Sequence, residues 1–122
     1  MILSIEEIPL DGTWLPLDAE LGGAPLPDDL IAAITLIIRA ETYQVQSDHG
    51  RLVLDRERRP ATMDLIGQEG PNQGRTIRAI YELTGDVLRI CYELGSPERP
   101  LEFESEPGTL QFLVTYRRSH AP

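Results

Sequence analysis

Apolar and polar residues alternate along most of this chain in short runs, broken by glycine, proline, aspartate and asparagine. The runs are GTWLPLDAE, ITLIIR, TYQVQ, RLVLD, ATMDLIG, RTIRAIYEL, DVLRICYE, PLEFES and TLQFLVTYRR. A period of two places successive side chains on opposite faces, as in a half-buried strand. The pattern predicts about eight or nine strands with short links, an all-β fold. Links of this length suit an up-and-down antiparallel sheet, and closure into a barrel would remove the exposed edges that invite aggregation.

One segment reads two ways. In PDDLIAAITLIIRAE, Leu30, Ile31, Ile34, Ile37 and Ile38 recur at helical spacing, and Asp28 or Asp29 could cap a helix. From Ile34 onward the same letters are β-branched enough for a strand. The reading favoured is one helical turn near residues 28–33 followed by a strand; a helix running on to Arg39 is the alternative.

The stretch IYELTGDVLRICYE reads as a hairpin, and its register follows from the turn. With Thr84 and Gly85 as the loop, Tyr81 faces Leu88, Ala79 faces Ile90 and Ile77 faces Tyr92 on one apolar face. The opposite face carries Arg78, Ile80, Glu82, Val87, Arg89, Cys91 and Glu93, with Cys91 opposite Arg78. A slip of one residue would mix the two sets, so the faces are well determined. In the last run, Leu110, Phe112, Val114 and Tyr116 alternate with Gln111, Leu113, Thr115 and Arg117; with the aromatic set inward, Arg118 follows it to the barrel end. First and last strands are neighbours in a closed barrel. A contact between Trp14 and Arg118 is therefore expected as the structural closure, by cation–π attraction, with Arg117 as the fallback.

Composition narrows the functions. The 122 residues are 41% hydrophobic and 25% charged, ordinary for one globular domain spanning 1–122. A net charge of -9 repels phosphate backbones and anionic membranes, so neither nucleic acid nor membrane is an expected partner. The same charge suits a basic protein partner. No stretch is long and apolar enough to span a bilayer. The start, MILSIEEIPL, lacks a positive leader region, and the single cysteine forms no internal disulfide, so the expected location is cytoplasmic.

Catalytic chemistry finds little footing. Arg78 and Arg89 could activate the Cys91 thiol, but a catalytic cysteine wants a histidine base. The two histidines, His49 in an expected turn and His120 near the end, are not placed beside it. They also offer no metal-ligand spacing. QEGPNQGRT lacks the lysine of a phosphate loop and reads as a hairpin connection. RERRP (residues 56–60) reads as a basic cluster folding back on nearby carboxylates. Arg99 is expected to hold a turn carbonyl or Glu102. No catalytic residue, metal or cofactor is nominated.

GTW at 12–14 and the arginine ending the last run resemble the lipocalin-like barrels, in which the tryptophan plugs the barrel floor against that arginine. A closer resemblance is to a family of uncharacterised bacterial lipocalin-like domains abundant in planctomycetes. It rests on Gly12 and Trp14, on Pro60 with Asp64 and Leu65, on GPNQGRTIRAIYELTGDVLRIC, and on Arg99, Pro100 and Phe103. The resemblance implies a lipocalin-like barrel for most of the chain and implies no activity.

Two functions follow as expectations. The inward set of Ile77, Ala79, Tyr81, Leu88, Ile90, Tyr92, Phe112, Val114 and Tyr116 is apolar with phenolic tips. It suits an interior that binds a small, mostly hydrophobic ligand, and equally a packed core. The alternative is a protein-interaction module that captures a basic protein on its acidic outer surface. The volume left inside the barrel discriminates between them.

Overall fold

The alternating runs need partners on both edges, and a ring of eight strands provides them. The structure, a computed structural model, describes residues 10–120; the stretch 1–9, which carries the expectation of a missing leader, lies outside them. The described strands are β1 (Gly12–Leu21), β2 (Ala24–Pro25), β3 (Leu36–Arg39), β4 (Thr42–Val45), β5 (Asp48–Asp55), β6 (Ala61–Glu69), β7 (Thr76–Thr84), β8 (Val87–Glu93) and β9 (Gln111–Arg118). Each pairs antiparallel with its neighbour in the order β1-β3-β4-β5-β6-β7-β8-β9, and β9 returns to β1. That closes an eight-stranded barrel, with β2 an extra short strand folded back on the end of β1.

The ambiguous segment divides. Helix α1 (Asp28–Ala32) is one short turn, and the chain is strand again from Leu36. Its cap is Pro27, without a side-chain hydrogen bond, whereas Asp28 and Asp29 lie in the first turn. There they face the positive end of the helix rather than cap it.

A bulge sets the face of β1. Pro16 pairs with Tyr116 and Asp18 with Thr115, so Leu17 is an extra residue. Trp14 and Ala19 are five apart yet both buried, because the bulge reverses the parity between them. Pro16 lacks the N–H an uninterrupted ladder would need, which suits it to this irregular position.

Two strand expectations are corrected. The β7–β8 loop is Gly85–Asp86, not Thr84–Gly85: Thr84 pairs with Val87, Tyr81 with Ile90, Ala79 with Tyr92 and Ile80 with Cys91. Gly85 has φ +61° at the first loop position, where a primed hairpin turn requires it. The shift is two residues, so the inward and outward sets are unchanged. It brings Glu82 directly opposite Arg89, at 2.8 Å. His49 lies within β5, opposite Gln44, rather than in a turn.

PLEFES is a further correction. Because β8 pairs directly with β9, the segment between them has no ladder to join. It runs instead over the outer wall. Arg99 Nη1 sits 2.8 Å from Asp64 Oδ1 and donates to the Ala79 carbonyl at 3.0 Å, rather than to Glu102. The Arg89 guanidinium lies 4.5 Å over the Phe103 ring. Cys91 Sγ donates to the Glu104 carbonyl at 3.3 Å. The cysteine thus faces outward yet is fully buried beneath this segment. Burial raises its thiol pKa, the opposite of activation, and the Arg89 charge offsets that only weakly.

Candidate functional site

The two ends of the barrel are built differently. At one end Trp14 is fully buried, its indole N–H donates to the Leu10 carbonyl at 2.9 Å, and the Arg118 guanidinium lies 4.3 Å over its ring. Trp14 and Arg118 are direct cross-strand partners. Arg118 also donates through Nη1 to the Asp11 carbonyl at 2.8 Å, and its Nε lies 3.4 Å from Asp86 Oδ1. This end is a sealed floor. Above it Ala79, Leu88, Ile90 and Val114 are fully buried and Tyr81 nearly so.

The other end is open. The segment before β3, together with residues of β4, β5, β6, β7, β8 and β9 and of the β6–β7 loop, surrounds a concavity of about 150 Å³. Its walls are Ile34, Val45, Leu65, Ile77, Leu94 and Phe112, with Tyr92 and Tyr116 among them. Of the inward set read from the sequence, Ile77, Tyr92, Phe112 and Tyr116 line this space; Ala79, Tyr81, Leu88, Ile90 and Val114 do not. Larger concavities, of about 360 to 630 Å³, are open grooves; three have mostly polar linings, and the fourth, beside Gly108 and Leu110, is evenly mixed.

Two polar groups are set into the apolar walls. Tyr92 and Tyr116 reach across from β8 and β9, and their hydroxyls meet at 2.5 Å. Phe112 packs against Tyr92 with ring centroids 5.7 Å apart. Burial drives both phenols well above the ordinary tyrosine pKa of 10.0, so both are neutral donors at any working pH.

The second group, at the rim, is Tyr43, Asp48 and Asn72. The Asp48 carboxylate accepts from the Tyr43 hydroxyl at 3.2 Å, from the Asn72 side-chain amide at 2.8 Å and from the Asn72 backbone N–H at 3.2 Å. Burial, and then the neighbouring Asp48 charge, raise the Tyr43 pKa to about 12. Asn72 is brought here by the β6–β7 connection, which the sequence reads correctly as a link between strands.

Two glycines make the rim possible by close approach. A β-carbon at Gly50 would lie 2.1 Å from the Ile66 carbonyl oxygen and 2.7 Å from Tyr43 Cε1. Gly50 is the cross-strand partner of Tyr43, so its bare backbone is the seat of that ring. A β-carbon at Gly67 would lie 1.9 Å from the Asn72 carbonyl oxygen. The loop can fold back over β6 only because nothing projects there.

Sequence reasoning misses Tyr43, Asp48 and Asn72. Tyr43 carries a usable signal, an aromatic inside the alternation of TYQV. Asp48 and Asn72 carry none, because they sit among loop-type residues and meet only through the fold. Among the described residues no group of three or more histidine, cysteine or acidic side chains is arranged to hold a metal ion. Among the described residues no helix is long and apolar enough to cross a membrane.

No protein-family model matches this chain, and neither the curated proteins nor the solved structures contain a match.

Proposed function

We propose that the barrel binds a small, mostly hydrophobic molecule at its open end. The observation that supports this most directly is the apolar concavity of about 150 Å³ between Ile77, Leu65 and Phe112, with polar groups at defined places in its wall. A space of that size takes a molecule of roughly benzene's dimensions. Few polar groups in an apolar wall are the usual means of orienting such a ligand. The sealed Trp14–Arg118 floor also supports placing the chain with the lipocalin-like barrels, and with the planctomycete-type family among them.

Chemical-shift mapping with small cyclic organic molecules tests the reading. Saturable shifts confined to Leu65, Ile77, Leu94 and Phe112, abolished by filling the space in Ile77→Trp, are the expected result. A panel that moves none of these signals overturns it.

A second reading, capture of a basic protein, is favoured by Leu101. It is 82% exposed among Glu98, Glu102 and Glu104 on the outer segment. The Glu104 carboxyl is held above its ordinary pKa by Glu102 beside it, a repulsion that a cationic partner would relieve. Binding of an amphipathic lysine–leucine peptide that weakens with salt and is lost in Leu101→Ser is its signature. A peptide that binds both proteins alike excludes it.

A further inference from the structure

The Tyr92–Tyr116 pair holds one hydroxyl proton more than it can use. Each phenol is a single O–H donor. Where two hydroxyls meet at 2.5 Å, one donates and the other accepts, whichever way round they are. The accepting phenol keeps its own proton, and among the described residues neither oxygen has another hydrogen-bond partner. Both side chains are more than nine-tenths buried, and both line the open-end concavity. A buried donor left unmade is unfavourable, so this proton calls for an acceptor in the space it faces.

The rest of the lining restricts what that acceptor can be. No lysine or arginine lines the concavity, and the Asp48 carboxylate stands at its rim. An anionic ligand would enter beside a like charge with nothing to neutralise it. Asp48 already accepts three hydrogen bonds, from Tyr43 and twice from Asn72, and a cation could not accept the phenolic proton. The walls otherwise offer only apolar contact. From the unspent phenolic proton and this apolar, cation-free lining we infer that the ligand is a small neutral carbonyl compound, a ketone, ester or amide on a compact hydrocarbon body. Its oxygen accepts from the Tyr92–Tyr116 pair. This rests on the open-end binding reading above and gives that site its ligand class.

The pair has a feature that a single donor lacks. Replacing either tyrosine by phenylalanine removes one proton and its partner together, so the remaining phenol still has one proton to donate. Only the double replacement leaves none. It also leaves no orphan, because both polar groups go at once and the rings that pack the core stay.

The experiment compares three probes of similar size, cyclohexanone, methylenecyclohexane and cyclohexylammonium, by chemical-shift titration at Leu65 and Ile77. Cyclohexanone should bind about tenfold tighter than methylenecyclohexane, the difference one satisfied buried donor makes. Its carbonyl stretch should fall to lower frequency when bound. Both signatures should persist in Tyr92→Phe and in Tyr116→Phe and vanish in the double variant, which should still bind the hydrocarbon. Equal affinity for ketone and hydrocarbon overturns the carbonyl assignment and leaves the binding site standing. Tightest binding of the ammonium probe overturns it in favour of a cation at Asp48. No saturable shift with any probe overturns the site itself.

Discussion

The barrel's two ends solve the same problem in opposite ways. At the floor, Trp14 and Arg118 are adjacent across the β1–β9 seam, and backbone carbonyls of Leu10 and Asp11 take up their N–H groups. The contact is short-range within the sheet and leaves no space. At the mouth, polar groups from β4, β5, β8, β9 and the β6–β7 loop are spread through an apolar wall, and they leave about 150 Å³ unfilled. One end is packed to hold the ring shut. The other gives up part of that packing for an opening, and the binding proposal rests on that opening. The difference separates a packed end from an open one in one small fold.

The largest expected effect is at the floor. Trp14→Ala should destabilise the fold by about 3–5 kcal/mol, read as a lower denaturant midpoint at unchanged slope, because a fully buried large aromatic leaves a cavity that strands cannot fill. An unchanged midpoint would mean that the floor does not seal the ring. Gly50→Ala at the mouth should be milder, about 1–3 kcal/mol, since the added methyl must push aside the Ile66 carbonyl and the Tyr43 ring. Its larger consequence should be on binding, with the Tyr43 hydroxyl displaced from Asp48. If the variant loses stability but binds every probe as before, the rim plays no part in recognition.

The mouth, which holds three of the four tyrosines, should weigh most on the alkaline limb of the pH–stability profile. All four tyrosines have folded pKa values above the ordinary 10.0, with burial the leading cause. The fold favours their neutral form, so this stability is complete below pH 10.0 and is lost as pH rises through the folded values. Phenolate absorbance should stay low past pH 10.0 and then rise together with unfolding. A smooth titration of all four tyrosines in the folded protein would contradict their burial.

The smallest effect belongs to Asp86 at the floor. His120, 2.9 Å away, and then Arg118 hold its carboxyl below the ordinary value of 3.8. Its contribution is therefore present above pH 3.8 and fades as pH falls below that value. Asp86→Asn should slightly flatten the acid limb of the midpoint-against-pH curve, and a limb that steepens would show the pairing to be unfavourable. The group is exposed, so the change should also shrink with added salt.

Much of the ring is legible in the amino-acid order. The period of two sorts Tyr81, Leu88, Ile90 and Tyr92 from Glu82, Arg89 and Cys91, and this sorting survives the one-residue error in the hairpin loop because the pairing then shifts by two, which preserves both faces. The single helical turn and the strand after it are readable from the switch to β-branched residues at Ile34. The mouth is far less legible. Tyr43 shows as an aromatic in an alternating run, but its seat on Gly50 depends on a pairing between strands. Asp48 and Asn72 are 24 residues apart and meet only once the β6–β7 loop folds back over Gly67.

Cys91 marks the boundary between the two kinds of knowledge. Its outward face follows from alternation alone, which is a property of each backbone unit and its nearest neighbours. That it is nonetheless buried depends on the segment after β8, held over the wall by Arg99 on Asp64 and by Phe103 on Arg89. What this sequence determined by itself was the strand rhythm and the sorting of faces, both carried by short-range geometry. Tertiary structure alone decided the bulge at Leu17, the cover on Cys91, the Asp48 rim and the space behind it. Each of these is a meeting of groups distant in sequence, and which groups meet is set by the closure of the ring rather than by any local run of residues.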